Sequence, residues 1–281
     1  MSYLEHIKFC NNFDALAFRP FEIAGHRVGW VRHDNAAHLE QFSHIFEVSE
    51  QSISLTPDLI EFETRSAAMS VVVSTLSTEG VLPRPRDEFY PIALDRNVPP
   101  LMRIERTACP FFGIRASGVH MNGYVYLSDG LHMWVARRAW DKGTYPGMLD
   151  NMVAGGQPIG LGLIENVIKE CAEEADIPAN LAVQARPTGA ISYIHEAADG
   201  LKPDMMFCYD LALPEDFVPR NTDGEVAAFY RLPLGEVAAL VECSFEFKFN
   251  CNLVIIDFLI RHGVLPPEHP DYLKLIQGLR Q

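Results

Sequence analysis

Three glutamates, Glu170, Glu173 and Glu174, stand at i, i+3 and i+4 in the run Ile164-Glu165-Asn166-Val167-Ile168-Lys169-Glu170-Cys171-Ala172-Glu173-Glu174-Ala175-Asp176-Ile177. At about 100° per residue, Ile164, Val167, Ile168, Cys171 and Ala175 share one helix face, the side to bury, with the three carboxylates on an arc of about 100° beside it. Like charges that close repel unless a cation sits among them. Hard oxygen ligands with room for water suit Mg2+ or Mn2+, so Glu170, Glu173 and Glu174 are candidate metal ligands. A solvated acidic face, with Lys169 as the i+4 partner of Glu173, is the other reading of the same residues. Upstream, Gly155-Gly156-Gln157-Pro158-Ile159-Gly160-Leu161-Gly162 supplies backbone freedom at the approach to a helix N-terminus, which favours a nearby anion such as phosphate. Gly155 and Gly156 are therefore candidate substrate contacts.

Further candidates lie before this run. Arg137 and Arg138 end a predicted strand and Lys142 follows in the next loop; the period of two sends the two arginines to opposite faces, where either could hold a phosphate or remain plain surface charge. Trp134, in the same strand, is either core or a stacking surface for a heterocycle. The ten histidines include no H-E-x-x-H pair, and neither a G-x-S-x-G elbow nor a Walker loop is present. Six cysteines without a C-x-x-C pair or zinc spacing read as reduced, buried thiols.

The elements that must position these groups are legible in outline. Strands are expected over 118–127 and 131–138, with Ser128-Asp129-Gly130 as the hairpin turn between them. The stretch 141–158, rich in Gly and Pro, reads as a loop or a set of tight turns. Later strands are expected over 205–211 and 225–232, and helices over 251–261 and 271–279. Before residue 112 the texture is mixed: a helix over 3–13, an extended run over 21–31, a polar helix over 35–46, and a longer helix over 66–76. Two breakers follow, Leu82-Pro83-Arg84-Pro85-Arg86 and Asn97-Val98-Pro99-Pro100. A domain boundary is placed near residue 112.

With 23 Lys and Arg against 37 Asp and Glu, the net charge is -14, and the overall field repels a phosphate-rich polymer. Nucleic acid is thus not an expected partner. A small anionic substrate is compatible, because a divalent metal and a few local basic residues can invert the field in one pocket. No stretch approaches the ~20 continuous apolar residues of a membrane span, and Met1-Ser2-Tyr3-Leu4-Glu5-His6 lacks the order of a signal peptide. No membrane partner and a cytoplasmic location are the expectation.

Aligned on Gly155, the run resembles the Nudix box, G-x5-E-x7-R-E-U-x-E-E-x-G-U, with U a bulky apolar residue. Gly155, Glu170, Glu173, Glu174 and Ile177 match. Leu161 replaces the first Glu, Lys169 the Arg and Asp176 the second Gly, while Cys171 stands at the first apolar position. The first Glu and the Arg pair in family members, so losing both together leaves no orphaned charge. Around the box, Leu131-His132-Met133-Trp134-Val135-Ala136-Arg137-Arg138, Lys142-Gly143-Thr144-Tyr145-Pro146-Gly147-Met148-Leu149-Asp150-Asn151 and Val153-Ala154-Gly155-Gly156-Gln157-Pro158 resemble the Nudix branch related to thiamine pyrophosphokinase. So does Phe247-Lys248-Phe249-Asn250-Cys251-Asn252-Leu253-Val254-Ile255-Ile256-Asp257-Phe258-Leu259-Ile260-Arg261-His262-Gly263.

The resemblance implies an α/β (α+β) chain: a Nudix α/β/α sandwich with a mixed sheet over 113–281, preceded over 1–112 by a smaller α+β domain of unknown function. It implies Mg2+-dependent (or Mn2+-dependent) hydrolysis of a diphosphate linkage in a small molecule, with Glu173 or Glu174 taking a proton from water. Glu225, in Asp223-Gly224-Glu225-Val226, resembles the extra loop acid of some members, although a turn carboxylate without a role reads equally well. Thiamine diphosphate and its oxidised or toxic analogues are the leading substrates this implies. A nucleoside diphosphate of the 8-oxo-dGDP type, and a non-catalytic diphosphate-binding protein, are the alternatives. A homodimer is compatible with this reading.

Overall fold

The computed structural model describes residues 2–280. Its first part runs through α1 (Tyr3–Cys10), β1 (Phe18–Ile23), β2 (His26–Arg32), α2 (His33–Ala36), β3 (Phe46–Val48), β4 (Ile53–Leu55), α3 (Phe62–Thr78), β5 (Phe89–Ile92), β6 (Met102–Glu105) and α4 (Cys109–Phe112). The extended run expected over 21–31 is a hairpin, because Ala24 (φ 51°) and Gly25 (φ 76°) both adopt left-handed backbone and turn β1 into β2. The expected polar helix over 35–46 is one α turn followed by a 3-10 stretch over Ala37–Phe42. Leu39 and Phe42 point inward, and Phe46 already opens β3. A four-stranded sheet in the order β2-β1-β4-β3 and the β5-β6 ladder share a core with α3, in which Phe21, Ile53, Met69, Leu76 and Phe112 are buried.

The second part holds β7 (Ser117–Leu127), β8 (Gly130–Arg138), β9 (Leu149–Asn151), β10 (Val153–Gly156), α5 (Leu163–Ala175), α6 (Ala179–Ala182), β11 (Arg186–Ser192), β12 (His195–Ala197), β13 (Gly200–Lys202), β14 (Met205–Ala212), β15 (Val226–Pro233), α7 (Leu234–Cys243), α8 (Cys251–Arg261) and α9 (Tyr272–Gly278). The stretch 141–158, expected as loop, contains two short strands. β9 extends the pairing of β8 and β10 that of β7. The central order is β11-β14-β7-β8-β15, with β14 parallel to β7 and the other pairs antiparallel, so the sheet is mixed.

Alternation along the strands builds two cores. Val119, Met121, Trp134, Tyr209 and Leu211 face α5, whose Val167, Cys171 and Ala175 are buried against them. Met133, Val135, Met206 and Cys208 face the other way, toward Val237 of α7 and Leu253, Ile256 and Phe258 of α8. The result is an α/β/α sandwich. Tyr3, Ile7 and Cys10 of α1 belong to this second core, whereas the first core draws on residues 21–116. Among the described residues no helix is long and apolar enough to cross a membrane.

Candidate active site

The α5 helix presents the carboxylates much as its periodicity predicts, with one exchange on the buried face. Ile164 is exposed, and Asn166 is buried in its stead, donating from Nδ2 to the Gly156 carbonyl at 2.7 Å and to Gln157 Oε1 at 3.2 Å. The helix is thereby tied to the loop that precedes it. Its N-terminus is capped by Glu165, which accepts from the Gly162 N–H at 2.8 Å, and it ends at Asp176, whose φ of 54° is left-handed. That conformation favours glycine, which accounts for the family preference at the position Asp176 occupies.

The three glutamates occupy different environments. Glu173 is exposed, and Lys169 donates to it at 2.7 Å and to Glu170 at 3.1 Å. Glu170 lies on Gly155: a Cβ on that glycine would come within 2.1 Å of the Glu170 carboxyl carbon. Glu174 accepts from the Ala154 N–H of β10 at 2.8 Å. Burial pushes the Glu174 carboxyl well above the usual range, and Asp150, Glu170 and Glu225 add to the rise against the Ala154 hydrogen bond. Burial also raises Glu170, with Glu173 and Glu88 adding to the rise and Lys169 opposing it. Two neighbouring carboxyls that resist ionisation would both be relieved by a hard dication, and their oxygens are the donors Mg2+ or Mn2+ takes. The donor types suit such an ion, while the carboxylate oxygens of Glu170, Glu173 and Glu174 do not all gather within 4.8 Å of one another.

Glu225 comes to the same place from the loop that leads into β15. Its loop is fastened to the end of α5 by Thr222 Oγ1, which donates to the Glu173 carbonyl at 2.6 Å, and by the Arg220 N–H on the Ala175 carbonyl at 3.1 Å. Asp223 accepts from the Glu225 N–H at 2.8 Å, closing a tight turn. A small cavity of about 10 Å³ is lined by Glu174, Glu225, Arg138, Asp150, Asn151 and Val226. Burial alone would raise Glu225, but the ammonium of Lys142, at 2.5 Å, together with Arg106 and Arg138, holds it below the usual carboxylate range.

The basic residues singled out from the sequence are all engaged with protein. Arg138 donates to Asp150 at 2.8 Å and to the carbonyls of Thr144 and Tyr145 at 2.9 and 3.0 Å. Arg137, on the opposite face, donates to the Gly147 carbonyl at 2.7 Å and to the Tyr230 hydroxyl at 3.3 Å. Trp134 is core: its indole is buried with Val119 and Leu211, and the Arg231 guanidinium lies 5.7 Å from the ring centre, so no face is open to a heterocycle. The exposed indole nearby is that of Trp140, which lies over Gly147 and was not among the expected residues. Gly156 likewise touches protein, since a Cβ there would come within 1.7 Å of the Tyr90 hydroxyl.

Asp150 is a residue of the site that the glutamate motif does not mark. Although buried, it is held at about 2 by Lys248, Arg138 and His120, and the Cys251 thiol donates to it at 2.7 Å. His120, Asp150 and Cys251 converge closely enough to suggest a cation site. Two cations already attend the single carboxylate, Arg138 at 2.8 Å and Lys248 at 3.8 Å, and burial holds His120 down at about 4. This knot supports β9 and orients Arg138 instead of competing for metal. Its signal lay in two quoted runs, Leu149-Asp150-Asn151 and Phe247-Lys248-Phe249, which meet by backbone hydrogen bonds between Leu149 and both Glu246 and Lys248.

Residues 2–116 match the family model described as "Domain of unknown function (DUF4743)". Over its whole length the chain is similar to two proteins of Arabidopsis thaliana. One is Nudix hydrolase 20, chloroplastic, 42% identical with 99% of this chain and 77% of that protein aligned. The other is Nudix hydrolase 24, chloroplastic, 41% identical with the same coverage. Among solved structures, DR0079 from Deinococcus radiodurans aligns with 59% of this chain and 97% of its own, at 21% identity and a TM-score of 0.44.

Proposed function

Because the chain belongs to the Nudix hydrolase family, we propose that Glu170, Glu173 and Glu174 hold Mg2+ or Mn2+ and that the enzyme hydrolyses a diphosphate linkage in a small molecule. Thiamine diphosphate or an oxidised or toxic analogue is the first candidate substrate, on the likeness of the box and its flanking runs to the thiamine pyrophosphokinase-related branch. The observation that carries the metal assignment is the meeting of Glu170 and Glu174 with adjacent residues of β10, Glu170 on Gly155 and Glu174 on the Ala154 N–H, where burial raises both carboxyls.

When bound, the ion supplies charge neutralisation on the diphosphate and acidity to an attacking water. The protein's part is positioning. Gly155 lets Glu170 lie flat on β10, and the Ala154 N–H aims Glu174 into the cavity. With the α5 carboxylates engaged, Glu225 is the group on hand to accept the water's proton, since Lys142 and its other cationic neighbours keep it ionised. Arg138, braced by Asp150, brings positive charge to the cavity wall. Catalysis rests on orientation and electrostatics.

The test is a substrate panel with thiamine diphosphate, its oxidised analogue, 8-oxo-dGDP and ADP-ribose, read by chromatography as kcat/KM in Mg2+, in Mn2+ and in EDTA. Thiamine-type diphosphates are expected to lead, with activity lost in EDTA and restored by metal. Full activity in EDTA overturns the metal assignment, and a clear preference for 8-oxo-dGDP or ADP-ribose overturns the substrate.

A further inference from the structure

A diphosphate brought to a cavity walled by Glu174, Glu225 and Asp150 needs cationic hydrogen-bond donors beyond the metal, and the basic residues singled out from the sequence are already bonded to protein. Arg138 is committed to Asp150 and two carbonyls, Arg137 to Gly147 and Tyr230, Lys142 to Glu225, and Lys169 to Glu170 and Glu173.

The first part of the chain brings a further cation. Arg106 follows β6; its Nη1 donates to Glu88 at 2.5 Å, and its backbone N–H donates to the Glu88 carbonyl at 2.8 Å. Among the described residues, its Nε and Nη2 meet no protein acceptor, and the side chain is 42% exposed. The pair is placed by two contacts between the parts. The Ile159 N–H, in the loop leading to α5, donates to the Phe89 carbonyl of β5 at 2.9 Å, and the buried Tyr90 hydroxyl packs on Gly156. Glu88 thereby comes within electrostatic reach of Glu170, and Arg106 within reach of Glu225. A guanidinium with one edge anchored and the other open, within electrostatic reach of Glu225 at the candidate site, has the form of a phosphate clamp.

We propose that Arg106 is a substrate-binding residue: its Nε/Nη2 edge grips a diphosphate oxygen at the carboxylate site, while Glu88 anchors the opposite edge. The unit matched by the DUF4743 model thus completes the site of the unit that follows it. This rests on the diphosphate reading above.

Full-length protein in Mg2+ is titrated calorimetrically with methylenediphosphonate, a diphosphate that water cannot split. Arg106→Ala is expected to weaken binding roughly ten- to a hundredfold, the loss of one or two charge-assisted hydrogen bonds. Arg106→Lys, which lacks the planar edge, restores less than half of that loss on a logarithmic scale. Glu88→Gln, which keeps an acceptor for Nη1, is expected to change binding by no more than about threefold. A merely structural ion pair would make Arg106→Ala and Glu88→Gln alike, and that result overturns the proposal. If wild type binds and Arg106→Ala binds equally, this proposal alone falls; if wild type does not bind, the diphosphate reading falls and takes the proposal with it.

Discussion

The Glu174 carboxylate on α5 and the Ala154 N–H on β10 are joined by a 2.8 Å hydrogen bond, so one side chain both pins the helix to the sheet and faces the cavity shared with Glu225. Glutamine at 174 keeps an acceptor oxygen for Ala154 and removes the charge. Glu174→Gln is therefore expected to lower kcat/KM by roughly two to four orders of magnitude while leaving the melting temperature within a few degrees of wild type. Steady-state kinetics beside a thermal melt checks this, and a variant with near-normal turnover contradicts the role.

The raised carboxyls make stability depend on pH and on metal. Glu170 and Glu174 hold protons in the folded protein above the ordinary carboxyl value of 4.5, so the stability tied to those protons is full below that value and is lost as pH rises through the folded pKa. Glu225 is shifted the other way, and its contribution is present above 4.5 and lost on acidification. In EDTA, melting temperature is expected to fall as pH climbs above that range, and Mg2+ is expected to raise it most at the alkaline end. Melts at several pH values with and without Mg2+ test this; a metal effect that is the same at every pH counts against the assignment.

Gly155 is where the box's first glycine has a steric reason. Gly155→Ala would drive its methyl into the Glu170 carboxyl, and relief requires that carboxyl to move. The expected result is a stability loss of about 1 to 3 kcal/mol together with at least a tenfold weaker Mg2+ dependence. Metal titration of activity separates this from a simple loss of fold, and unchanged metal affinity would show that Glu170 is not a ligand.

Asp150→Asn tests the buried knot. Removing the charge leaves Arg138 and Lys248 uncompensated around a buried site, a change expected to cost about 3 to 5 kcal/mol. Chemical denaturation gives the value. A cost under about 1 kcal/mol, the range of an exposed pair, would mean that the knot is not a structural support.

The 3.6-residue period placed Glu170, Glu173 and Glu174 together on a helix, and the period of two gave β7 and β8 their extent and sent Arg137 and Arg138 to opposite faces. Those are local signals. β9 and β10 escaped because Leu-Asp-Asn and Val-Ala-Gly-Gly have no apolar alternation; they are strands because β8 and β7 offer free edges to pair with. Lys169 meets Glu173, its expected i+4 partner, and reaches Glu170 as well. Arg106, Glu88 and Tyr90 leave no spacing to read, as the approach of Tyr90 and Glu88 to Gly156, and of Arg106 to within electrostatic reach of Glu225, comes from the packing of one unit on another.

The placement of α1 has a consequence for the order of assembly. Tyr3 donates to the Ala238 carbonyl at 3.1 Å, His6 pairs with the Val241 carbonyl at 2.6 Å, and Ile7 lies against Gly278. On the ribosome, this helix is made long before the helices that bury it, and it must wait through the synthesis of everything between. Residues 21–116 are in effect an excursion from a core that closes only when α7 and α9 arrive, a closure of high contact order and correspondingly slow. Pulsed hydrogen exchange during refolding should find α1 protected late, together with α9, and early protection of α1 would contradict this.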